Sequence, residues 1–457
     1  MIEPTIVWFR DDLRVDDNPA LVAAAERGEP VVALFVLDEE SEGIRPLGGA
    51  ARWWLHGSLH SLSQDLASFD ITLILRRGAA QRVVPTVAAE ISAGAVLWNR
   101  RYGRPERDID ATIKTQLRGS GVTCGSFAAS LLYEPWEVQT TTGTPYSVFT
   151  PFWRACRELP HPRGPLPPPS SALSGFDGAV TSELLRSWEL RPTSPDWATG
   201  LADTWTIGEE AALERCEEFI DDHLAEYTTG RDVPSQNSTS GLSPHLRWGE
   251  ISPHRVWHAV HSAEAPAQAR ETFLSELGWR EFAWHTLYYF PSLATRNLRP
   301  QFDHFPWPPC DPAHLSAWQR GNTGYGLVDA GMRELWQTGT MHNRVRMVTA
   351  SFLVKNLLID WRQGERWFWD TLVDADAASN PFNWQWVAGS GADAAPYFRI
   401  FNPERQQSRF DPRHRYIARW APEYIDDDPP EPIVQIAPSR RAALRAFENV
   451  PRKQHAP

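Results

Sequence analysis

Short apolar runs alternate with longer helical stretches over the first 130 residues of the chain. The apolar runs are rich in β-branched residues and lie at 5–9, 31–37, 71–75, 95–98 and 122–127. Stretches of helical character separate them near 18–27, 50–67, 81–92 and 107–118. Strands that alternate with helices are typical of a parallel, doubly wound sheet. We therefore predict a five-stranded α/β domain over residues 1–130.

The composition changes after this domain. Residues 159–178 are rich in Pro, Ser and Gly, and such a composition cannot form a packed core. We predict an interdomain linker over residues 131–205. An acidic helix from about 208 to 227 opens the next domain, and the spacing of apolar residues stays helical nearly to the end of the chain. An all-α domain is therefore predicted over residues 206–457.

One helix of the second domain carries a polar face. It starts after Gly339, and the run from 342 to about 359 has helical spacing with no internal Gly or Pro. Asn343, Arg346 and Met347 lie three or four positions apart, so an amide, a guanidinium and a thioether project from one side. Arg346 could serve only to pair with a carboxylate and fix helix packing, and this helix alone leaves that alternative open.

Dense motifs surround this helix. They are WxxGxTGYxxVDAxMRxL at 318–335, MHNRxRM at 341–347, ASFLxKxLLxDWR at 350–362, DxDxAxN at 374–380, WQW at 384–386 and DAAPYFRIFNP at 393–403. The series resembles the flavin domain of the photolyase/cryptochrome family, and collinear motifs cover most of residues 205–425. It looks most like the bacterial subgroup akin to plant cryptochromes, class III. The N-terminal domain is similar to the light-harvesting domain of the family through WFRDDLR at 8–14 and WNRRY at 98–102.

The resemblance implies FAD as the cofactor. The matching positions that contact FAD in the family are Tyr227, Thr239, Ser240, Gly241, Leu242, Ser243, Phe273, Arg280, Arg346, Asp374, Asp376 and Asn380. In the family, the TSxLSP motif holds the pyrophosphate of FAD, although its hydroxyl groups would also suit a helix cap. Arg346 and Asp374 match an ion pair beside the flavin ring, and the neutral Asn380 matches the residue that faces its N5 atom. Gly241 departs from the family, which often has a larger residue there.

The same resemblance implies a cavity for damaged DNA bases. The matching catalytic positions are Glu276, Trp279, Asn343, Met347, Asn380 and Trp386. Glu276, Trp279 and Arg280 share one helical face, which an ordinary partly exposed helix could also have. Asn343 and Met347 stand where the (6-4) enzymes of the family have histidines for proton transfer. The resemblance therefore implies light-driven electron transfer from reduced FAD that splits cyclobutane pyrimidine dimers.

Two other activities are weighed against this one. A cryptochrome-like photoreceptor would bind FAD and signal to a protein partner, and a (6-4) photolyase would repair a different lesion. The neutral Asn380, together with Glu276 and Trp279, argues against the photoreceptor. The amide of Asn343 and the thioether of Met347 argue against (6-4) repair.

Electron transfer and DNA contact are implied at further positions. Trp384, Trp361 and, with the least regular spacing, Trp307 match the tryptophan chain that photoreduces the flavin. The arginines that match positions near DNA phosphates are Arg231, Arg344, Arg399 and Arg405. A net charge of −12 argues against nonspecific nucleic-acid binding by the whole surface. Residues 315–420 nevertheless hold thirteen basic against ten acidic residues, which suits a local basic cleft.

Composition limits the compartment and the other ligands. The four cysteines have no CxxC spacing, and no His or third acid clusters near Asp374 and Asp376, so we predict neither a disulfide framework nor a metal site. No leader segment or long apolar run occurs, so we expect a cytoplasmic monomer whose partner is UV-damaged DNA and not a membrane. No GxGxxG follows the first strand, and we expect an antenna chromophore, methenyltetrahydrofolate, from the subgroup resemblance. Arg10, Asp11 and Arg14 could contact it or form a salt-bridged loop.

Overall fold

The structure is a computed structural model that describes residues 3–168, 173–394, 398–426 and 429–451. Residues 395–397, which belong to the DAAPYFRIFNP motif, lie outside the described residues. Within the described ranges, no helix is long and apolar enough to cross a lipid bilayer.

In the described residues, five parallel strands form one sheet. They are β1 (Thr5–Phe9), β2 (Val31–Leu37), β3 (Leu73–Arg77), β4 (Ala95–Asn99) and β5 (Thr123–Phe127), in the order β3-β2-β1-β4-β5. The strands β1, β2 and β4 are buried along their whole length, as a parallel sheet covered on both faces requires. The predicted doubly wound α/β domain is confirmed. The third strand starts two residues later than expected, at Leu73 and not at 71, because the Ile71 backbone N–H still bonds to the Leu66 carbonyl of the preceding helix.

Helices pack on both faces of the sheet and form the second domain. Their bounds are α1 (Pro19–Arg27), α2 (Gly49–Ala67), α3 (Ala80–Glu90), α4 (Arg104–Gly119), α5 (Phe149–Glu158), α6 (Thr199–Thr204), α7 (Glu209–Glu218), α8 (Tyr227–Gly230), α9 (Ser243–Trp248), α10 (Pro253–Ser262), α11 (Ala267–Tyr289), α12 (Pro312–Arg320), α13 (Gly326–Thr338), α14 (Asn343–Ser351), α15 (Trp361–Thr371), α16 (Ser379–Ala388), α17 (Pro403–Phe410), α18 (Arg415–Trp420) and α19 (Ile436–Glu448). Short 3-10 turns lie at Leu185–Trp188, Leu224–Glu226, Pro300–His304 and Pro422–Tyr424, and π turns lie at Phe219–His223 and Phe352–Asn356. The helical second domain is confirmed.

The connecting segment is more ordered than its composition suggests. The Val31 backbone N–H donates to the Ser174 carbonyl at 2.8 Å, and the Phe176 N–H donates to the Val31 carbonyl at 3.2 Å. The Ser182 hydroxyl accepts from the Leu75 N–H of the edge strand β3 at 3.0 Å. Leu173, within the stretch expected to form no packed core, is buried against the sheet. That expectation was wrong for Leu173. A Pro-rich segment can still pair with the free backbone groups of a sheet and bury an apolar side chain against it.

Polar contacts join the two domains. Glu250, which follows α9 and is fully buried, accepts a hydrogen bond from Trp54 Nε1 of α2 at 3.0 Å and another from the Ser58 hydroxyl. Glu365 of α15 accepts two hydrogen bonds from Arg45 of the N-terminal domain, at 2.6 and 3.1 Å. These contacts fix α9 and α15, both of which border the cavity described next.

Candidate functional site

A cavity of about 280 Å³ lies within the helical domain. It is enclosed by α9, α11, α14 and α16 and by the segment between α15 and α16. The sequence-predicted site residues that line it are Tyr227, Ser240, Leu242, Ser243, Phe273, Glu276, Arg280, Asn343, Arg346, Met347, Asp374, Asp376, Asn380, Trp384 and Trp386. Residues from five separate motifs thus converge on one space.

A second cavity, of about 830 Å³, adjoins the first and extends it toward the TSxLSP motif. Both cavities are bordered by Tyr227, Ser240, Ser243 and Asp374. Thr239 and Gly241, which do not border the first cavity, line the second. All five residues of the motif predicted to contact FAD therefore face this continuous space.

Arg346 and Asp374 form the predicted ion pair. Arg346 Nη2 lies 3.1 Å from Asp374 Oδ2, and Arg346 Nε donates to the Met341 carbonyl at 2.7 Å. The Ser243 hydroxyl donates to the same Asp374 oxygen at 2.7 Å. Asp374 is 7% exposed and Arg346 27% exposed, so the carboxylate is buried while the guanidinium still reaches the cavity. The pair places a held positive charge at the cavity wall.

His342 stabilises the start of α14. Its Nδ1 accepts from the Arg344 backbone N–H at 3.2 Å, and burial lowers the pKa of this histidine to about 4. The imidazole is therefore neutral at pH 7 and keeps the lone pair that caps the helix. The cap orients Asn343, Arg346 and Met347 toward the cavity.

Asn380 is fixed by the buried Glu365. Its Nδ2 atom donates to the Glu365 carbonyl at 3.0 Å and to Glu365 Oε1 at 2.9 Å. Both amide hydrogens are thereby used, and the side-chain oxygen is the polar atom left for the cavity. Asp376 stabilises the start of α16. Its Oδ1 accepts hydrogen bonds from the Ala378 and Ser379 backbone N–H groups at 2.7 and 2.5 Å.

Glu276 and Trp279 make contacts that the sequence did not predict. Arg231 Nη1 lies 2.6 Å from Glu276 Oε1, so one predicted DNA-binding residue holds the predicted base-binding carboxylate. Trp279 does not line the cavity. Its ring stacks on Phe149 of α5, with centroids 3.8 Å apart and planes 10° apart. Phe149 comes from the segment predicted as linker.

The three tryptophans of the predicted electron chain occupy different depths. Trp384 is buried, lines the first cavity and contacts the ring of Phe368 at 5.0 Å. Trp361 is buried and donates its indole N–H to Asn297 Oδ1 at 3.0 Å. Trp307 is half-buried, and its ring lies 4.3 Å from that of Phe305.

The four predicted DNA-binding arginines fall into two groups. Arg231 and Arg344 form ion pairs near the cavity mouth, with Glu276 and Asp232 respectively. Arg399 and Arg405 are exposed. Among the described residues, only the second group has no acidic partner.

A third cavity, of about 220 Å³, lies between the two domains. It opens at the carboxyl ends of β1, β2 and β4, where the strand order reverses and α/β sheets commonly bind ligands. Several buried donors on its lining have no partner among the described residues: Trp8 Nε1, Arg10 Nε, Arg101 Nε and Trp284 Nε1. Unpaired buried donors are costly, and several around one space indicate a polar ligand.

Some residues of these cavities carry no sequence motif that would have identified them. Glu365 and Arg45 act on the first cavity through Asn380 and come from distant parts of the chain. Arg215 lines the second cavity from the acidic helix α7. A single arginine on an acidic helix is typical of a solvated surface, so only the fold brings it to the site.

Comparisons with known proteins agree on one family. Residues 5–170 match the family described as DNA photolyase, and residues 273–429 match the FAD binding domain of DNA photolyase. A deoxyribodipyrimidine photo-lyase of Agrobacterium fabrum is 51% identical over 92% of this chain and 87% of its own length. Cryptochrome-1 of Arabidopsis thaliana is 39% identical over 92% of this chain and 63% of its own length. The crystal structure of a bacterial class III photolyase from Agrobacterium tumefaciens has a TM-score of 0.94 and 46% identity, and the match covers 98% of both chains.

Proposed function

The chain belongs to the photolyase/cryptochrome family, and on that premise we propose that it is a deoxyribodipyrimidine photo-lyase that splits cyclobutane pyrimidine dimers in DNA under blue light. The observation that carries the proposal is the cavity that joins Glu276, Asn343, Met347 and Asn380 in a chain 51% identical to such an enzyme. Its expected partner is UV-damaged DNA, on which it acts as a monomer.

The chain binds FAD through a site with one cavity for the flavin ring and an adjoining cavity for the pyrophosphate. The first cavity offers aromatic and apolar walls with one held cation, and the adjoining cavity offers the hydroxyl groups of Thr239 and Ser240. Bound in its reduced form, FAD supplies the electron that light drives into the dimer. Arg346 supplies positive charge beside the ring, and Asp374 and the Met341 carbonyl keep its guanidinium in place.

Asn380 contributes an uncharged contact. Because both of its amide hydrogens bond to Glu365, it presents an oxygen to the cavity and offers no proton there. Asn343 and Met347, on the opposite wall, are also not acids at physiological pH. Cleavage of a cyclobutane ring needs an electron and no general acid, so these three residues support dimer repair over (6-4) repair.

The lesion reaches the cavity by flipping out of the DNA duplex. Flipping a damaged pair into the cavity costs about a few kcal/mol, less than for an intact pair. We propose that Glu276 hydrogen-bonds the polar edge of the dimer and that Trp386 contacts its rings. Trp279 stacks on Phe149 and does not border this cavity, so it takes no direct part in holding the lesion. Arg344, Arg399 and Arg405 position the strand through its phosphates.

The tryptophan chain restores the cofactor to its working form. Trp384 borders the cavity, Trp361 begins α15 next to it, and Trp307 lies half-buried farther out. Trp384 is close to α15, since a Cβ at Gly364 would meet its ring at 2.1 Å. We propose that electrons reach FAD in the order Trp307, Trp361 and Trp384.

We also propose that the interdomain cavity binds a folate antenna, methenyltetrahydrofolate. The unpaired donors of Trp8, Arg10, Arg101 and Trp284 suit a ligand that carries both a flat heteroaromatic ring and carboxylates. Asp376 borders this cavity and the first one, so the two ligands would lie close enough to share a wall.

Repair of a cyclobutane thymine dimer in a short DNA strand by the purified, reduced protein tests the proposed function. We expect thymine absorbance to return under blue light and not in the dark. Glu276→Ala should abolish most of the repair, whereas Glu271→Ala, on an exposed side of the same helix, should not. If the protein binds FAD and the bound FAD can be photoreduced, but no dimer is repaired, the proposal is contradicted and a photoreceptor is favoured.

A further inference from the structure

Arg215 lies against the segment that is expected to bind the FAD pyrophosphate. It belongs to α7, is half-buried and lines the second cavity together with Thr239, Ser240 and Gly241. A Cβ built at Gly241 would lie 3.0 Å from Arg215 Nη1, 3.2 Å from its Cδ and 3.6 Å from its Cζ. The guanidinium therefore occupies the space above the Gly241 backbone.

The glycine at 241 and the arginine at 215 fit as a pair. Gly241 has a φ of 64°, which a residue with a side chain rarely adopts, and any side chain there would compete with Arg215 for the same space. A guanidinium that arrives from another helix fills the space that a side chain at this position would take.

Arg215 differs from the arginines of the first cavity in having no acidic partner. Arg247 pairs with Asp11, Arg280 with Glu281 and Arg346 with Asp374. Among the described residues, Arg215 takes part in no ion pair, and its guanidinium lies 5.9 Å from the ring of Trp205. A half-buried guanidinium that faces a cavity and forms no ion pair of its own among the described residues is available to an anion from outside the chain.

We infer that Arg215 binds a phosphate of the FAD pyrophosphate and so contributes to cofactor affinity, an inference that rests on the proposed FAD site at residues 239–243. The planar guanidinium can donate two parallel hydrogen bonds to phosphate oxygens. Thr239 and Ser240 add hydroxyl donors on the same side of the cavity. In the proposed site Arg346 and Asn380 would hold the ring end of FAD, so the pyrophosphate of FAD is the anion expected beside Arg215.

Binding of FAD and of riboflavin to the apoprotein tests this role. Riboflavin has the same ring but no phosphate, so it reports on the first cavity alone. Flavin fluorescence titration would give both dissociation constants for the wild type, Arg215→Gln, Arg215→Lys and the exposed control Arg413→Ala. Loss of charge-assisted hydrogen bonds predicts that Arg215→Gln weakens FAD binding about 10- to 100-fold and leaves riboflavin binding unchanged. Arg215→Lys should recover part of the loss, and Arg413→Ala should bind both flavins as the wild type does.

Other outcomes separate this inference from the proposed function. Unchanged FAD affinity in Arg215→Gln would overturn the role of Arg215 and leave the FAD site intact. An equal loss for FAD and riboflavin would also overturn it, because a structural defect does not distinguish the two flavins. Failure of the wild type to bind either flavin would overturn the proposed function and the inference with it.

Discussion

The side-chain amide of Asn380 directs both of its hydrogens onto Glu365, 3.0 Å from the carbonyl oxygen and 2.9 Å from Oε1. Glu365 is in turn held by Arg45 of the N-terminal domain through two hydrogen bonds. The residue predicted to face the flavin is thereby oriented by a contact between the two domains. An uncharged amide is needed here, since a carboxyl group would lie within hydrogen-bond distance of a second one.

Asn380→Asp should make repair sensitive to pH. Two carboxyl groups this close cannot both ionise, so the pair holds a proton near neutral pH and loses it as the pH rises. Loss of that proton adds negative charge beside the reduced flavin, and the repair rate relative to wild type should fall from pH 6 to pH 9. Asn383→Asp, one turn farther along α16 and bonded to the Ser379 carbonyl, is the matched control, with no such fall expected. If the ratio of the Asn380→Asp repair rate to the wild-type rate stayed constant over this pH range, the carboxyl group of Glu365 would not share a proton with residue 380.

Trp284→Ala should remove the antenna without affecting the flavin. The indole N–H of Trp284 is one of the unpaired donors of the interdomain cavity, and its ring supplies an apolar wall. We expect the purified variant to lack the near-ultraviolet absorption of the second chromophore and to contain a normal amount of FAD. Repair under light that FAD itself absorbs should stay close to wild type. Trp336→Ala, at a 53% exposed position outside this cavity, should retain both chromophores, and a full antenna content in Trp284→Ala would contradict the proposed site.

The sequence was sufficient for the parts of the site that depend on local spacing. Asn343, Arg346 and Met347 share a face because of helical periodicity, and the structure brings all three to one cavity. The alternation of apolar runs and helical stretches likewise predicted a parallel, doubly wound sheet of five strands, which the structure has.

Contacts between distant segments could not be predicted in this way. Phe149 covers one face of Trp279, yet it lies in a stretch whose composition indicated a linker. Arg215 reaches the TSxLSP motif from an acidic helix, where periodicity predicts a solvated surface. Both contacts depend on how helices pack, and no local pattern encodes the packing partner.

Asp232→Asn should strengthen the binding of damaged DNA. Asp232 holds Arg344 in an ion pair, and a phosphate must displace it before Arg344 can contact the strand. Pairs of this partly exposed kind contribute about 0.2–1 kcal/mol, so affinity should rise by a factor between about 1.4 and 5. Arg344→Ala should weaken binding and reduce the slope of log K against log salt by about one. The control is Asp222→Asn, which removes one negative charge at an exposed position. If Asp222→Asn increased DNA affinity as much as Asp232→Asn does, the gain would come from the net charge and not from release of Arg344.

Glu281 should make the stability of the protein fall as the pH rises. Burial raises the pKa of its carboxyl group from 4.5 to about 7, although the Leu132 and Tyr133 backbone N–H groups donate to it. The folded chain therefore keeps a proton that the unfolded chain has lost, and this contribution to stability is complete below pH 4.5 and lost as the pH rises through about 7. In Glu281→Gln this contribution is absent. The free energy of unfolding of the wild type minus that of the variant should then decrease between pH 5 and pH 8, by at most about 1.4 kcal/mol per pH unit. Urea unfolding of both proteins at the two pH values measures this difference, and an equal difference at both values would mean that Glu281 is ionised in the folded chain.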